Sequence, residues 1–129
     1  MAHKVIILYR LYMPYYFLGT FTEYPYMSEE DLNRLCTYVA EYSTGDTLQK
    51  ISPVKVDSQL KSIDIMHFGW NIGKAFGKKR IHTATFIKNV FAHTLRDLEI
   101  ATIERKMSHT ESECKIKLNY IFQQEMSMA

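Results

Sequence analysis

"GKKRIHTATFIKNVFAHTLRDLEIATIERKM", residues 77–107, decides how this chain is to be read. Three consecutive basic residues, Lys78, Lys79 and Arg80, stand before a run with apolar residues at helical spacing. Phe86, Ile87, Val90, Phe91 and Leu95 make a wide apolar stripe, the pattern of a helix with one face on a core. His82 or Thr83 is its candidate cap. A turn near Leu95 and Arg96 leads to a second helix. There Ile100, Ile103 and Met107 face inward, and Glu99, Thr102, Arg105 and Lys106 face outward. Asp97 is the candidate cap, with Glu99 adding acid to the first turn, where the helix dipole favours it. Two short helices with a tight junction have the outline of a helix-turn-helix, whose second helix lies in the major groove of DNA. On this expectation the recognition helix spans residues 97–107.

The preceding stretch "SQLKSIDIMHFGWNIGKAF", residues 58–76, predicts a helix capped by Asp57 or Ser58. Leu60, Ile63, Met66 or His67, Trp70 and Phe76 fall near one side, and His67 reads as a core histidine with its hydrogen bonds made. Gly69 and Gly73 stand four apart. Each costs about 1 kcal/mol relative to Ala in a helix interior, so the pair marks a patch where another helix approaches closely. Further upstream, "SEEDLNRLCTYVAEY" has Ser28 at the cap and acid in the first turn, a variant of the capping box. Leu32, Leu35, Cys36, Val39 and Tyr42 form one apolar face, and Gly45 ends the helix. "TGDTLQKISPVKVD", residues 44–57 around Pro53, reads as a linker or short extended segment.

The two ends are less regular. "KVIILYRLYM", residues 4–13, is a β-branched and aromatic run closed by Pro14, which fits a strand or a helix. Between Tyr9 and Tyr26 lie six tyrosines and two phenylalanines. This segment is either a loop that pads the core or a dimer or partner surface, since tyrosine is enriched at interfaces. Tyr12, Tyr15, Tyr16, Tyr24 and Tyr26 are the candidate partner-facing residues. At the other end, residues 115–120 alternate like a strand. Cys114, Leu118, Ile121, Phe122 and Glu125 also fit a helix face, which the length of the tail favours.

The 129 residues, 47% of them apolar, suffice for one domain with a core,. The apolar start is interrupted by Arg10 and Pro14 and falls short of the ~20 apolar residues of a spanning helix. It also lacks a signal-peptide cleavage site, so a cytoplasmic protein is expected. Cys36 and Cys114 have no metal-like spacing and read as buried free thiols. Nor do the five histidines show ligand spacing, and no nucleophile, phosphate-loop or dinucleotide motif appears. No cofactor or metal is therefore expected, and an enzyme ranks third among the functional readings.

Net charge is +2, yet it is unevenly spread. Residues 74–117 hold ten Lys and Arg against five acids, while the remainder carries six basic residues and nine acids. Clustered basic charge is the electrostatic footprint of phosphate binding. The candidate DNA contacts are Lys78, Lys79, Arg80, Thr83, Thr85, Lys88, Arg96, Thr102, Arg105 and Lys106. Helix N-termini near Thr83 and Asp97 would offer backbone N–H groups to phosphates.

Residues 56–129 resemble the C-terminal region of RteC-type regulators, which act in tetracycline-linked excision of conjugative transposons. The resemblance rests on "VDSQLKSIDIMHFGWNI", on "FIKNVFAHTLRDLE", and on a helix ending in Arg105 and Lys106. The loop "SHTES" and a final segment with Leu118 and a methionine-rich end complete it. It implies a helical DNA-binding protein with a winged-helix-like or helix-turn-helix portion, serving a mobile element, with Arg105 and Lys106 as basic contacts.

The expectation is thus a single, mainly α domain. It comprises an aromatic segment plus helix over 1–52, a three-helix core over 57–107, and a C-terminal helix or wing over 108–129. Candidate short β segments lie at 4–13 and 115–122. The expected function is binding double-stranded DNA as a transcriptional regulator or accessory factor, with a homodimer through the aromatic segment as one option. The alternative is a protein-interaction module using the tyrosine-rich surface.

Overall fold

In the computed structural model, residues 26–45, 50–109, 114–116 and 118 are described. Four helices lie among them, with no strand: α1 (Glu29–Thr44), α2 (Ser62–Phe76), α3 (Arg80–Val90) and α4 (Ile100–Lys106). The chain is mainly helical, as its periodicity predicts. The candidate β segment at 4–13 lies outside the described residues. Of residues 115–122, Lys115, Ile116 and Leu118 are described, and none is in a strand.

Ser28 caps α1 as expected, its Oγ accepting from the Asp31 N–H at 3.1 Å. Asp31 does not reach back to complete a capping box; its carboxylate pairs with Arg34 instead. Leu35, Val39 and Tyr42 of the expected apolar face are fully buried, and Gly45 follows the last turn.

The start of α2 differs from expectation. Asp57 uses its carboxylate on the Gln59 N–H, 2.9 Å away, and so closes a local turn rather than a helix. The helix begins at Ser62, where the Asp64 carboxylate accepts from the Lys61 N–H at 2.9 Å. From Asp64 to Gly73 every residue is buried. A one-sided apolar stripe was expected; instead α2 is the central helix, enclosed on all sides.

Its glycines explain how. An added Cβ at Gly69 would lie 2.8 Å from Ile87 Cδ1 and 2.9 Å from Ile87 Cγ2. One at Gly73 would lie 2.6 Å from Thr83 Oγ1. Thr83 and Ile87 sit one turn apart on α3, so α3 lies in the shallow patch that the glycine pair leaves. The connection is short. Gly77 ends α2 in the left-handed region (φ 68°, ψ 33°), which glycine adopts without strain,. The Lys78 N–H bonds the Gly73 carbonyl at 2.8 Å, and the Gly77 N–H bonds the Lys74 carbonyl at 3.3 Å. This is a Schellman ending, and three residues separate α2 from α3.

α3 also packs on α1 and α4. Tyr42 of α1 hydrogen-bonds Thr83 through its hydroxyl at 2.8 Å and stacks on Phe86 with ring centroids 4.2 Å apart. Phe68 of α2 meets Phe91 edge-on at 5.9 Å. Residues 50–57 run as a strap tied by Arg34 to the Pro53 carbonyl and by the Val54 N–H to the Val90 carbonyl.

The junction between α3 and α4 is not the tight one expected. Nine residues separate the helices, and residues 91–97 are wound as turns. α4 itself has seven residues, opens at Glu99 with no side-chain cap, and leaves Asp97 exposed in the turn before it. The tight, glycine-closed junction lies one helix earlier, between α2 and α3.

Gly73→Ala gains about 1 kcal/mol of helix propensity but drives a methyl into Thr83. We expect a net loss of about 1–3 kcal/mol in urea unfolding, the usual cost of overpacking. Gly45→Ala, where an added Cβ meets only the Glu41 carbonyl at 3.9 Å, should stay within about 0.5 kcal/mol,.

Candidate nucleic-acid interface

Four of the basic residues between 74 and 117 are occupied by the fold. Lys74 places its ammonium over the Trp70 ring, 5.7 Å from the centroid. Lys78 sits 5.1 Å from the centre of the Tyr42 ring and donates to the Gly45 carbonyl at 3.1 Å. It therefore closes the C-terminal end of α1. Lys88 donates to the carbonyls of Leu95 at 2.7 Å and Arg96 at 3.2 Å, bracing the turns that follow α3. Arg80 donates to the Glu104 carbonyl and to Ser108 Oγ, the latter at 3.3 Å. Cations at orphan helix-end carbonyls complement the dipole as well as satisfying acceptors.

The threonines fare similarly. Thr83 is buried, bonded to Tyr42 and to the Lys79 carbonyl. It does not reach the surface, and its expected role as a DNA contact is replaced by one in the core. Thr85 is half-buried and donates to the Ile81 carbonyl of its own helix at 2.9 Å. Thr102 is half-buried on α4.

The remaining described cations are Lys79, Arg96, Arg105 and Lys106, with Lys115 on the C-terminal segment; all are exposed, and Lys117 lies outside the described residues. Arg96 lies 3.9 Å from the carboxylate of Asp97, both side chains largely in solvent, where such a pair is worth little. Lys79, Arg105 and Lys106 have no side-chain partner among the described residues. Arg80 ties the first turn of α3 to the last turn of α4; Lys79 precedes Arg80 in sequence, and Arg105 and Lys106 follow Glu104. Lys79 is the N-cap residue of α3, whose first turn holds no acid and no side-chain cap, and His82 in that turn is exposed. The first-turn N–H groups of a helix lack internal partners and favour an anion. At α4 the opposite holds: Glu99 occupies its N-cap.

Of the candidate partner-facing tyrosines, Tyr12, Tyr15, Tyr16 and Tyr24 lie outside the described residues. Tyr26 is 7% exposed, so it serves the core rather than an interface. Cys36 and Cys114 are free thiols. Cys114 is buried, whereas Cys36 is half-buried, and desolvation pushes its thiol up. Among the described residues no group of three or more His, Cys, Asp and Glu is placed to hold a metal. Nor is any helix long and apolar enough to cross a membrane.

The division of labour among the cations is measurable. Arg80→Ala leaves the Glu104 carbonyl without its charged donor and should cost about 1.5–3 kcal/mol in chemical unfolding. Arg105→Ala, exposed and unpaired, should stay within about 0.5 kcal/mol.

The chain matches no family model, no curated protein and no solved structure.

Proposed function

We propose that the protein binds double-stranded DNA, with Lys79, Arg105 and Lys106 as its phosphate contacts. The observation that carries this reading is a set of three exposed cations without a side-chain partner among the described residues, one of them the N-cap residue of the uncapped α3, on two helices that Arg80 joins. A phosphate there meets both mobile positive charge and oriented backbone donors. Arg96 extends the contact along the turn before α4, and the half-buried Thr102 with the exposed Ala101 of α4 serves as its recognition element. The resemblance of residues 56–129 to RteC-type regulators supplies a setting, a regulator or accessory factor of a mobile element. Lys78, Arg80 and Lys88 act indirectly, by holding the helix ends that carry the contacts.

Fluorescence anisotropy on a mixed 30-base-pair duplex, over a salt series, tests this. We expect log K to fall linearly with log salt, with a slope of about −0.9 per phosphate neutralised. Lys79→Ala, Arg105→Ala and Lys106→Ala should each make the slope shallower by about 1. Lys55→Ala, an exposed cation on the strap, should leave it unchanged. Absence of binding at low salt would refute DNA binding.

A further inference from the structure

Buried in α2, His67 is 1% exposed, and both of its ring nitrogens meet backbone carbonyls. Nδ1 lies 2.7 Å from the Ile116 carbonyl and Nε2 lies 2.6 Å from the His109 carbonyl. A carbonyl oxygen only accepts. A neutral imidazole offers one N–H and one lone pair, whereas the imidazolium offers two N–H groups. The protonated ring alone satisfies both contacts. One turn earlier, Asp64 is equally buried, and its carboxylate accepts from the Ile116 N–H at 3.0 Å and from the Lys115 N–H. A carboxylate and an imidazole on one face of α2 thus grip the same distant segment, from opposite ends of its peptide groups.

We propose that His67 is a proton-operated latch, which fastens the chain after α4 to the central helix while it is charged and lets one strap go when it is neutral. Loss of the proton sets a nitrogen lone pair against a carbonyl oxygen at hydrogen-bond distance, so either the His109 or the Ile116 contact opens. The latch is closed at lower pH and opens as pH rises. Among the described residues, the other groups around it leave this sign intact. Asp64 on α2 carries the compensating negative charge. On the fastened chain, Cys114 is a buried free cysteine, Lys115 is exposed, and the His109 side chain is exposed. Lys106, at the end of α4, is also exposed. α3 sets Thr83 and Ile87 against the glycine patch of α2, and neither titrates.

The test is nitrogen-15 NMR of the histidine rings on the full chain, together with amide exchange at Lys115 and Ile116, from about pH 6 to about pH 9, above the ordinary carboxylate range. In the closed state both His67 ring nitrogens should carry protons. As the second proton leaves, exchange at the two amides, corrected for its intrinsic pH dependence, should rise about tenfold, the weight of one charge-assisted hydrogen bond. His67→Gln keeps one donor and does not titrate, so its corrected exchange should be fast and flat with pH. A single unprotonated His67 nitrogen throughout, with steady amide protection, would overturn the latch. So would a His67→Gln variant that keeps the wild-type pH dependence. The wild-type ring spectrum decides the matter even if His67→Gln does not fold.

Discussion

The close approach of α2 and α3 is the constraint on which the other contacts rest. Gly69 and Gly73 leave room for Ile87 and Thr83 at distances that a methyl group would forbid. With Thr83 seated there, its hydroxyl reaches Tyr42, and Tyr42 stacks on Phe86. That pair is how α1 joins the hairpin of α2 and α3. Two missing methyls on one helix therefore set the distance between two helices and the attachment point of a third. Close packing makes this unforgiving, because a core at crystal-like density has no slack to absorb an added carbon.

This arrangement also sorts the charges. Cation counts along the sequence make residues 74–117 look like a uniform basic stretch. Folding divides it by access to backbone carbonyls. Helix ends and turns leave carbonyls without N–H partners, and Lys78, Arg80 and Lys88 are long enough to reach them. Such a cation braces a junction and is withdrawn from phosphate chemistry. Lys79, Arg105 and Lys106 serve no carbonyl among the described residues, and their exposure is what recommends them as contacts. The basic turn "GKKR" thus has mixed duties: its first lysine and its arginine are structural, and the lysine between them is open to a ligand.

Much of the fold was legible from local patterns. Ser28 and the apolar face from Leu35 to Tyr42 gave α1, and the glycine pair gave the packing patch on α2. Features set by distant partners were not legible. α2 begins at Ser62 rather than near Asp57 because Asp64 supplies the cap, and nothing in a propensity distinguishes those two aspartates. The break after Val90 is stabilised by Lys88 reaching carbonyls seven and eight residues on, beyond any helical period, so an apolar stripe running to Leu95 reads as continuous. Thr83 looked like a surface cap and is a core hydroxyl, since its burial depends on the absence of a side chain at Gly73. His67 was readable as a satisfied core histidine, but its two carbonyl partners come from a segment more than forty residues away.

The most direct test of the central contact is a nuclear Overhauser measurement on isotope-labelled protein. Strong cross-peaks are predicted from the Gly69 Hα protons to the Ile87 methyls, and from the Gly73 Hα protons to the Thr83 methyl. Each pair is separated by little more than van der Waals contact. Their presence would establish that α3 rests in the glycine patch of α2. Their absence in a folded sample would contradict that packing, and with it the position of Tyr42.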